Sequence, residues 1–268
     1  MSLADLDYRK AVKNFGRNPN SGGNFAQGQP VGILLHYTAG GAAAERLAGR
    51  GGSNVSAHFT VDRDGKVYQC GALNQRLWHA GVSHWKGLTG LNSYFIGIEQ
   101  ANFGFWRIER GLPDKATAER EWFKAAHKND PSRVMLWEPY PDELIESSLD
   151  ICRFLLENIK SIKMICGHDD VSPGRKSDPG PAFPMNKFKD LLSPLDETKP
   201  PRYKVVVAKD DTLNVRNFPD SNSAKKEDWG PLQSGEIVEY LRESGAWYLI
   251  RNKDKKEGWA HSLYLRRV

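Results

Sequence analysis

The sequence predicts two folded parts: an α/β domain with a mixed central β-sheet flanked by helices, and a small all-β barrel after it. Three observations carry this. Short apolar runs that read as strands alternate with an amphipathic helix across residues 1–192. Residues 193–202 are polar, hold three prolines and have linker composition. Residues 203–268 then change texture, to short strands at close intervals with turn residues between them.

In chain order, residues 13–30 are rich in Asn, Gly, Gln and Pro and read as an irregular lead-in. Residues 31–35 are an apolar run that ends at His36, the pattern of a buried strand. Residues 55–61 alternate, with Ala57, Phe59 and Val61 on one face and Ser56, His58 and Thr60 on the other. A turn at 62–65 and a return at 66–70 make this a β-hairpin. Residues 94–98 form another apolar strand, closed by Glu99. Residues 103–141 carry Trp106, Trp122, Trp137 and many charges, and read as an insertion with some helix around 115–127. From 141 to 159 an apolar stripe of Leu144, Ile145, Leu149, Cys152, Leu155, Leu156 and Ile159 predicts a good helix. Asp142 and Glu143 suit its first turn. Residues 163–166 are a further short strand, followed by Gly167 and His168. In the last part, strands are expected near 205–207, 213–215, 237–241, 247–250 and 258–260.

Composition excludes several classes. At 39% hydrophobic and 26% charged, the chain is an ordinary globular sequence. No run approaches eighteen apolar residues, so no transmembrane segment is expected. The net charge of +5 over 268 residues permits an acidic partner but is too mild for a dedicated nucleic-acid binder. Three cysteines without a CxxC pair give neither a disulfide framework nor a zinc finger, and buried free thiols are expected. The first residues show no basic stretch followed by an apolar one, so no secretory signal is read there.

His36 and His168 each follow an apolar strand, at the sheet edge where clefts form in open α/β folds. Asp178 follows His168 across a stretch of prolines and glycines that reads as a non-helical loop able to return the carboxylate to His168. Two histidines and a carboxylate with a fourth position open are a catalytic zinc ligand set. An alternative within the same chemistry would use His79 or His58 as a ligand, and on spacing alone a structural strand-end histidine is the commoner case. Glu99, closing an apolar strand, would be partly desolvated and suited to general base or acid work. A surface glutamate is its alternative. Lys176 lies two residues before Asp178 and would face the same side of an extended loop, positioned to stabilise an oxyanion, unless it is simply solvated like Arg175.

Five segments occur in a telling order. They are Ile33-Leu34-Leu35-His36-Tyr37-Thr38-Ala39, the stretch from Val55 through Gln69, Trp78-His79-Ala80-Gly81, the stretch from Asn92 to Glu99, and Gly167-His168 through Lys176-Ser177-Asp178-Pro179-Gly180-Pro181. Together they resemble the zinc-dependent N-acetylmuramoyl-L-alanine amidases of the type 2 family, a fold shared with peptidoglycan recognition proteins, over roughly residues 30–192. The resemblance implies zinc (Zn2+) held by His36, His168 and Asp178, with Glu99 and Lys176 catalytic. It implies substrate contact for Trp78, His79 and Tyr37, and a structural place for His58. His84 and His127 receive no role. The insertion at 103–141 departs from compact members, and would shape or cover the cleft.

Residues 212–219, 247–250 and 258–265 resemble strands of bacterial SH3-like domains, which commonly bind cell-wall peptides. The implied partner is bacterial peptidoglycan, with no nucleic acid, and the implied activity is hydrolysis of the amide between N-acetylmuramic acid and L-alanine. The site of action would be the wall, periplasmic or extracellular. A non-catalytic wall binder and cytoplasmic recycling of muropeptide fragments are the alternatives.

Overall fold

A computed structural model describes residues 2–50, 52, 54–107, 112–192, 200–208 and 210–268. The chain divides into two units, Met1–Phe183 and Pro184–Val268. Most of the expected linker, residues 193–199, lies outside the described residues. The short helix Met185–Asp190, which the sequence reading put with the first part, falls in the second unit. There Asn186 Nδ2 donates to the Leu265 carbonyl and the Tyr203 hydroxyl donates to Asp190.

The first unit is built on a six-stranded sheet. Its spatial order is Lys13–Asn14, Val67–Gln69, Phe59–Val61, Phe95–Gln100, Gly32–Tyr37 and Met164–Gly167. The last four strands of that order run parallel to one another. Parallel strands are covered on both faces, which explains why Gly32–Tyr37 and Phe95–Gln100 read as continuous apolar runs. The helix Asp142–Asn158 buries Leu144, Ile145, Leu149, Cys152 and Leu155, as its stripe predicts, together with Ser148 and Ile151. Cys70, Cys152 and Cys166 are free and buried.

The 55–70 hairpin forms, with Phe59–Val61 antiparallel to Val67–Gln69. Both of its faces lie inside the unit. Ser56, His58 and Thr60 are fully buried, because a parallel neighbour and the Gln75–Leu77 region cover them. The lead-in is partly ordered into strands, Lys13–Asn14 against Val67–Gln69 and Ser21–Asn24 against Gln75–Leu77.

In the insertion the helix stops early, spanning Lys115–Glu121 with Asp114 as its cap. Trp122 turns extended, and Phe123–His127 pairs with Asp130–Trp137 as an antiparallel hairpin. Asn129-Asp130-Pro131 is turn chemistry, and the run after it, residues 133–137, pairs back onto Phe123–His127. A further change is at His168, which opens a one-turn helix, His168–Val171, before Pro173 ends it. The 168–178 stretch is therefore loop only in its later part.

Apart from the helix Met185–Asp190 and a single turn of 3-10 helix at Ser262–Tyr264, the second unit is β around a core of Tyr203, Val205, Val215, Val238, Tyr248 and Ile250. Its five-stranded sheet runs Glu257–His261, Trp247–Arg251, Ile237–Ser244, Arg202–Val205 and Leu265–Arg267, antiparallel throughout. The first strand lies earlier than expected, because Arg202–Val205 pairs on both sides while Val206 and Val207 leave the sheet. Among the described residues, no helix of either unit is long and apolar enough to cross a membrane.

Candidate functional site

Strand register assembles the site. His36 pairs with Glu99 on the adjacent parallel strand, and Glu99 pairs with Thr60 on the next. Paired positions on neighbouring strands present their side chains on the same face. On the other side, Gly167 pairs with Leu35, so His168 follows at the level of His36. Three parallel strands thus deliver Glu99, His36 and His168 side by side at their carboxyl ends.

Asp178 completes a tight group. Nδ1 of His36 lies 2.9 Å from Nδ1 of His168 and 3.1 Å from Asp178 Oδ2, and His168 Nδ1 lies 2.9 Å from the same oxygen. All three residues are buried. The rest of the hydrogen-bond network fixes what these atoms are. The Phe95 carbonyl accepts from His79 Nε2 at 3.1 Å, so a neutral His79 has a lone pair on Nδ1. That lone pair accepts from His36 Nε2 at 3.1 Å, which leaves a lone pair on His36 Nδ1. The Ala80 carbonyl accepts from His168 Nε2 at 2.9 Å, which leaves a lone pair on His168 Nδ1.

Two nitrogen lone pairs and a carboxylate oxygen therefore point at one another. Such a group needs a positive charge at its centre. Ligands about 2.0–2.1 Å from a tetrahedral zinc are roughly 3.3 Å apart, close to the separations here. The donor set fits a cation of that kind.

The electrostatics agree. Burial, and then His168 beside it, hold the His36 imidazole down to about 4, so the ring is neutral at ordinary pH. Burial acts to raise Asp178, but its bonds to His168 and His36 win and keep it well below the usual carboxylate range. Glu99 keeps some contact with solvent, yet burial and then the charge of Asp178 push it up to about 8, against the opposing pull of Arg46 and Lys176. Lys176 adds a small downward pull on both Glu99 and His36.

The predicted substrate-contact residues separate. Trp78 is 42% exposed. The Tyr37 hydroxyl is 2.7 Å from Ser177 Oγ, beside Asp178. His79 is buried behind His36, its Nδ1 taken up by that residue, on the side away from the three converging atoms. His58 is fully buried, accepting from Gly97 N and donating to the Gln75 carbonyl. Arg175 was read only as a neighbour of Lys176. Its guanidinium donates to the carbonyls of Ala80 and Val82 and to Ser172 Oγ, and so ties the loop to the segment that holds His168. Only spatial closeness carries that tie, and no spacing in the sequence signals it.

Comparison with known proteins adds to this geometry. The family described as N-acetylmuramoyl-L-alanine amidase matches residues 26–181, and the bacterial SH3 domain family matches residues 211–266. The 1,6-anhydro-N-acetylmuramyl-L-alanine amidase AmpD of Escherichia coli K12 is 32% identical over 139 residues, 52% of this chain and 59% of that protein. The N-acetylmuramoyl-L-alanine amidase AmiD of the same strain is 31% identical over 163 residues, 58% of this chain and 51% of that protein. The chain thus spans a little over half the length of these relatives. Among solved structures, an AmpD derivative has a TM-score of 0.49 at 22% identity, covering 72% of this chain and 99% of its own. AmiD from E. coli, in complex with anhydro-N-acetylmuramic acid-L-Ala-D-γ-Glu-L-Lys, has a TM-score of 0.47 at 24% identity, covering 65% of this chain and 62% of its own.

Proposed function

The chain belongs to the N-acetylmuramoyl-L-alanine amidase family, and from that premise we propose that it hydrolyses the amide between N-acetylmuramic acid and L-alanine in peptidoglycan, with zinc held by His36, His168 and Asp178. The convergence of two imidazole lone pairs and a carboxylate on one point is the observation that carries this reading. Zinc bound there supplies Lewis acidity, polarising a carbonyl oxygen and lowering the pKa of water toward ~7.

The chain's own residues do the rest. Glu99, one strand from His36, takes a proton from the attacking water at its carboxylate and returns one to the leaving amine of L-alanine. Its upward-shifted pKa suits both halves of that exchange. Lys176 offsets the negative charge that develops on the carbonyl oxygen. Tyr37, bonded to Ser177, steadies the loop from which Lys176 and Asp178 project. Trp78 offers an exposed ring on which substrate can rest.

The second unit serves as a cell-wall anchor in this reading, which favours intact wall over soluble fragments as substrate. Mass spectrometry of products from purified sacculi tests the proposal. Stem peptides with a free L-alanine amino terminus should appear, vanish with a chelator and return with added zinc. Cleavage of soluble anhydromuropeptides with intact sacculi left untouched would move the substrate to fragments. No cleavage of either would end the amidase reading.

A further inference from the structure

The insertion after the Glu99 strand turns its hairpin tip onto Asp169, the residue next to His168. We infer that this hairpin is a brace that holds the ligand-bearing loop in register for metal, and is not a cover over the cleft. The inference rests on the zinc reading above.

Asp169 is 4% exposed, and its polar groups are all engaged. Its backbone N–H donates to the Asp178 carbonyl at 2.7 Å, joining the loop's two ligand-bearing ends. The hairpin supplies the remaining partners. Asn129 Nδ2 donates to the Asp169 carbonyl at 2.8 Å. His127 Nε2 donates to Oδ2 at 3.0 Å, and Lys128 Nζ donates to Oδ1 at 2.8 Å. The Asn129 backbone N–H donates to His127 Nδ1, so a neutral His127 carries its proton on Nε2, where Asp169 needs it. Lys128 also reaches Asp170, whose other oxygen accepts from Gly167 N at the start of the His168 turn.

The far end of the loop is held by the same insertion. Trp137 is buried, and a Cβ on Gly180 would lie 2.7 Å from its ring, so the two are in close contact. The Tyr140 hydroxyl donates to the Pro179 carbonyl at 2.8 Å, one residue past Asp178. The insertion therefore grips both sides of the ligand pair. Loosening it should let His168 and Asp178 drift from His36.

Lys128 and Asn129 are positioning residues in this account, and zinc affinity is the property they set. Competition with a chromophoric chelator on the full chain would measure it for Lys128→Met, Asn129→Ala and the double variant. Loss of a ligand's direct outer partner typically costs about 10–100-fold in metal affinity, and because Lys128 and Asn129 act through the neighbouring Asp169 and Asp170, a loss at the low end, about tenfold, is expected of the double variant. Lys128→Arg should recover most of it, and the muropeptide KM at saturating zinc should stay unchanged. The milder Asn129→Ala, which leaves no buried charge unpaired, still tests the brace should the double variant fold poorly. Wild-type zinc affinity in these variants, or a raised KM with affinity unchanged, would overturn the brace. A wild-type chain that binds no zinc would instead overturn the metal reading beneath it.

Discussion

His36 presents a lone pair to the converging group only while its Nε2 proton is given to His79. His79 in turn is set by the Phe95 carbonyl. A glutamine at 79 has both an acceptor and a donor for the two neighbours, and a leucine has neither. His79→Leu should weaken zinc by about 10–100-fold, as loss of outer partners does, and His79→Gln should recover much of it. Equal affinities in a chelator titration would refute the relay. Glu99 gives a second expectation. Its folded pKa of about 8 lies above its ordinary value, so in metal-free protein the native state holds the proton more tightly and stability falls as pH rises from ~4.5 to ~8. Glu99→Gln should therefore melt higher than wild type at pH ~9 without metal, the gap closing toward pH ~4.5, while activity drops by about 10²–10⁴-fold. A metal-free variant no more stable at high pH would contradict the burial of that charge. At this scale His36, His168 and Glu99 were legible because each ends or follows an apolar strand, and Asp178 because a proline- and glycine-rich loop carries it back toward His168. The place of His79 was not, because its bond to His36 joins residues 43 apart in sequence and leaves no local pattern.

The strand Phe95–Gln100 shows how an element is shaped by what lies on it. Gly97 sits mid-strand, where glycine ordinarily weakens a sheet. A Cβ there would lie 2.5 Å from the His79 ring. The glycine thus makes room for the ring that orients His36, and Gly97 N also donates to His58. Gly97→Ala should cost about 1–3 kcal/mol by overpacking and reduce zinc affinity as well, since the ring must move. Gly40→Ala, with nothing within 4 Å of the added carbon, is the control expected to do neither. Denaturant midpoints and chelator competition would read both, and a neutral Gly97→Ala would refute the packing argument. Strand and helix existence was readable because apolar period and length decide it. The 123–137 hairpin was misread because Lys124, Ala125 and Ala126 carry little β signal of their own, and it is pairing with Leu136, Met135 and Val134 that makes them a strand. Alternation along the 55–61 run shows which residues share a face, and the parallel neighbour is what buries the polar one.

Across the whole molecule, each unit carries a histidine that its surroundings hold neutral, His58 fully buried and His261 half-buried, and this makes a joint prediction about acid. Burial holds His58 in the first unit down to about 4, against the smaller upward pull of its bond to Gln75. In the second unit burial, with Lys187 adding to it, holds His261 down to about 4 as well. In the unfolded chain both would titrate near the ordinary ~6.5. Below that value the unfolded state binds more protons than the native one, so their contribution is complete above pH ~6.5 and is lost as pH falls toward ~4. For fully buried His58 the loss reaches up to about 3 kcal/mol, at ~1.36 kcal/mol per pKa unit. Two separate cores make two thermal transitions the expectation. Zinc at the proposed site would bind only the folded first unit, so added zinc near neutral pH should raise one transition and so identify it. Metal-free scans from pH ~7 to ~4 should then show both transitions falling, with the units losing stability for the same reason at independent sites. His58→Gln should flatten the pH slope of the zinc-responsive transition, though not abolish it, because His36 is also held low there. His261→Gln should flatten the other. If either substitution left the slope of its own unit unchanged, that histidine would not be the group whose protonation unfolds it.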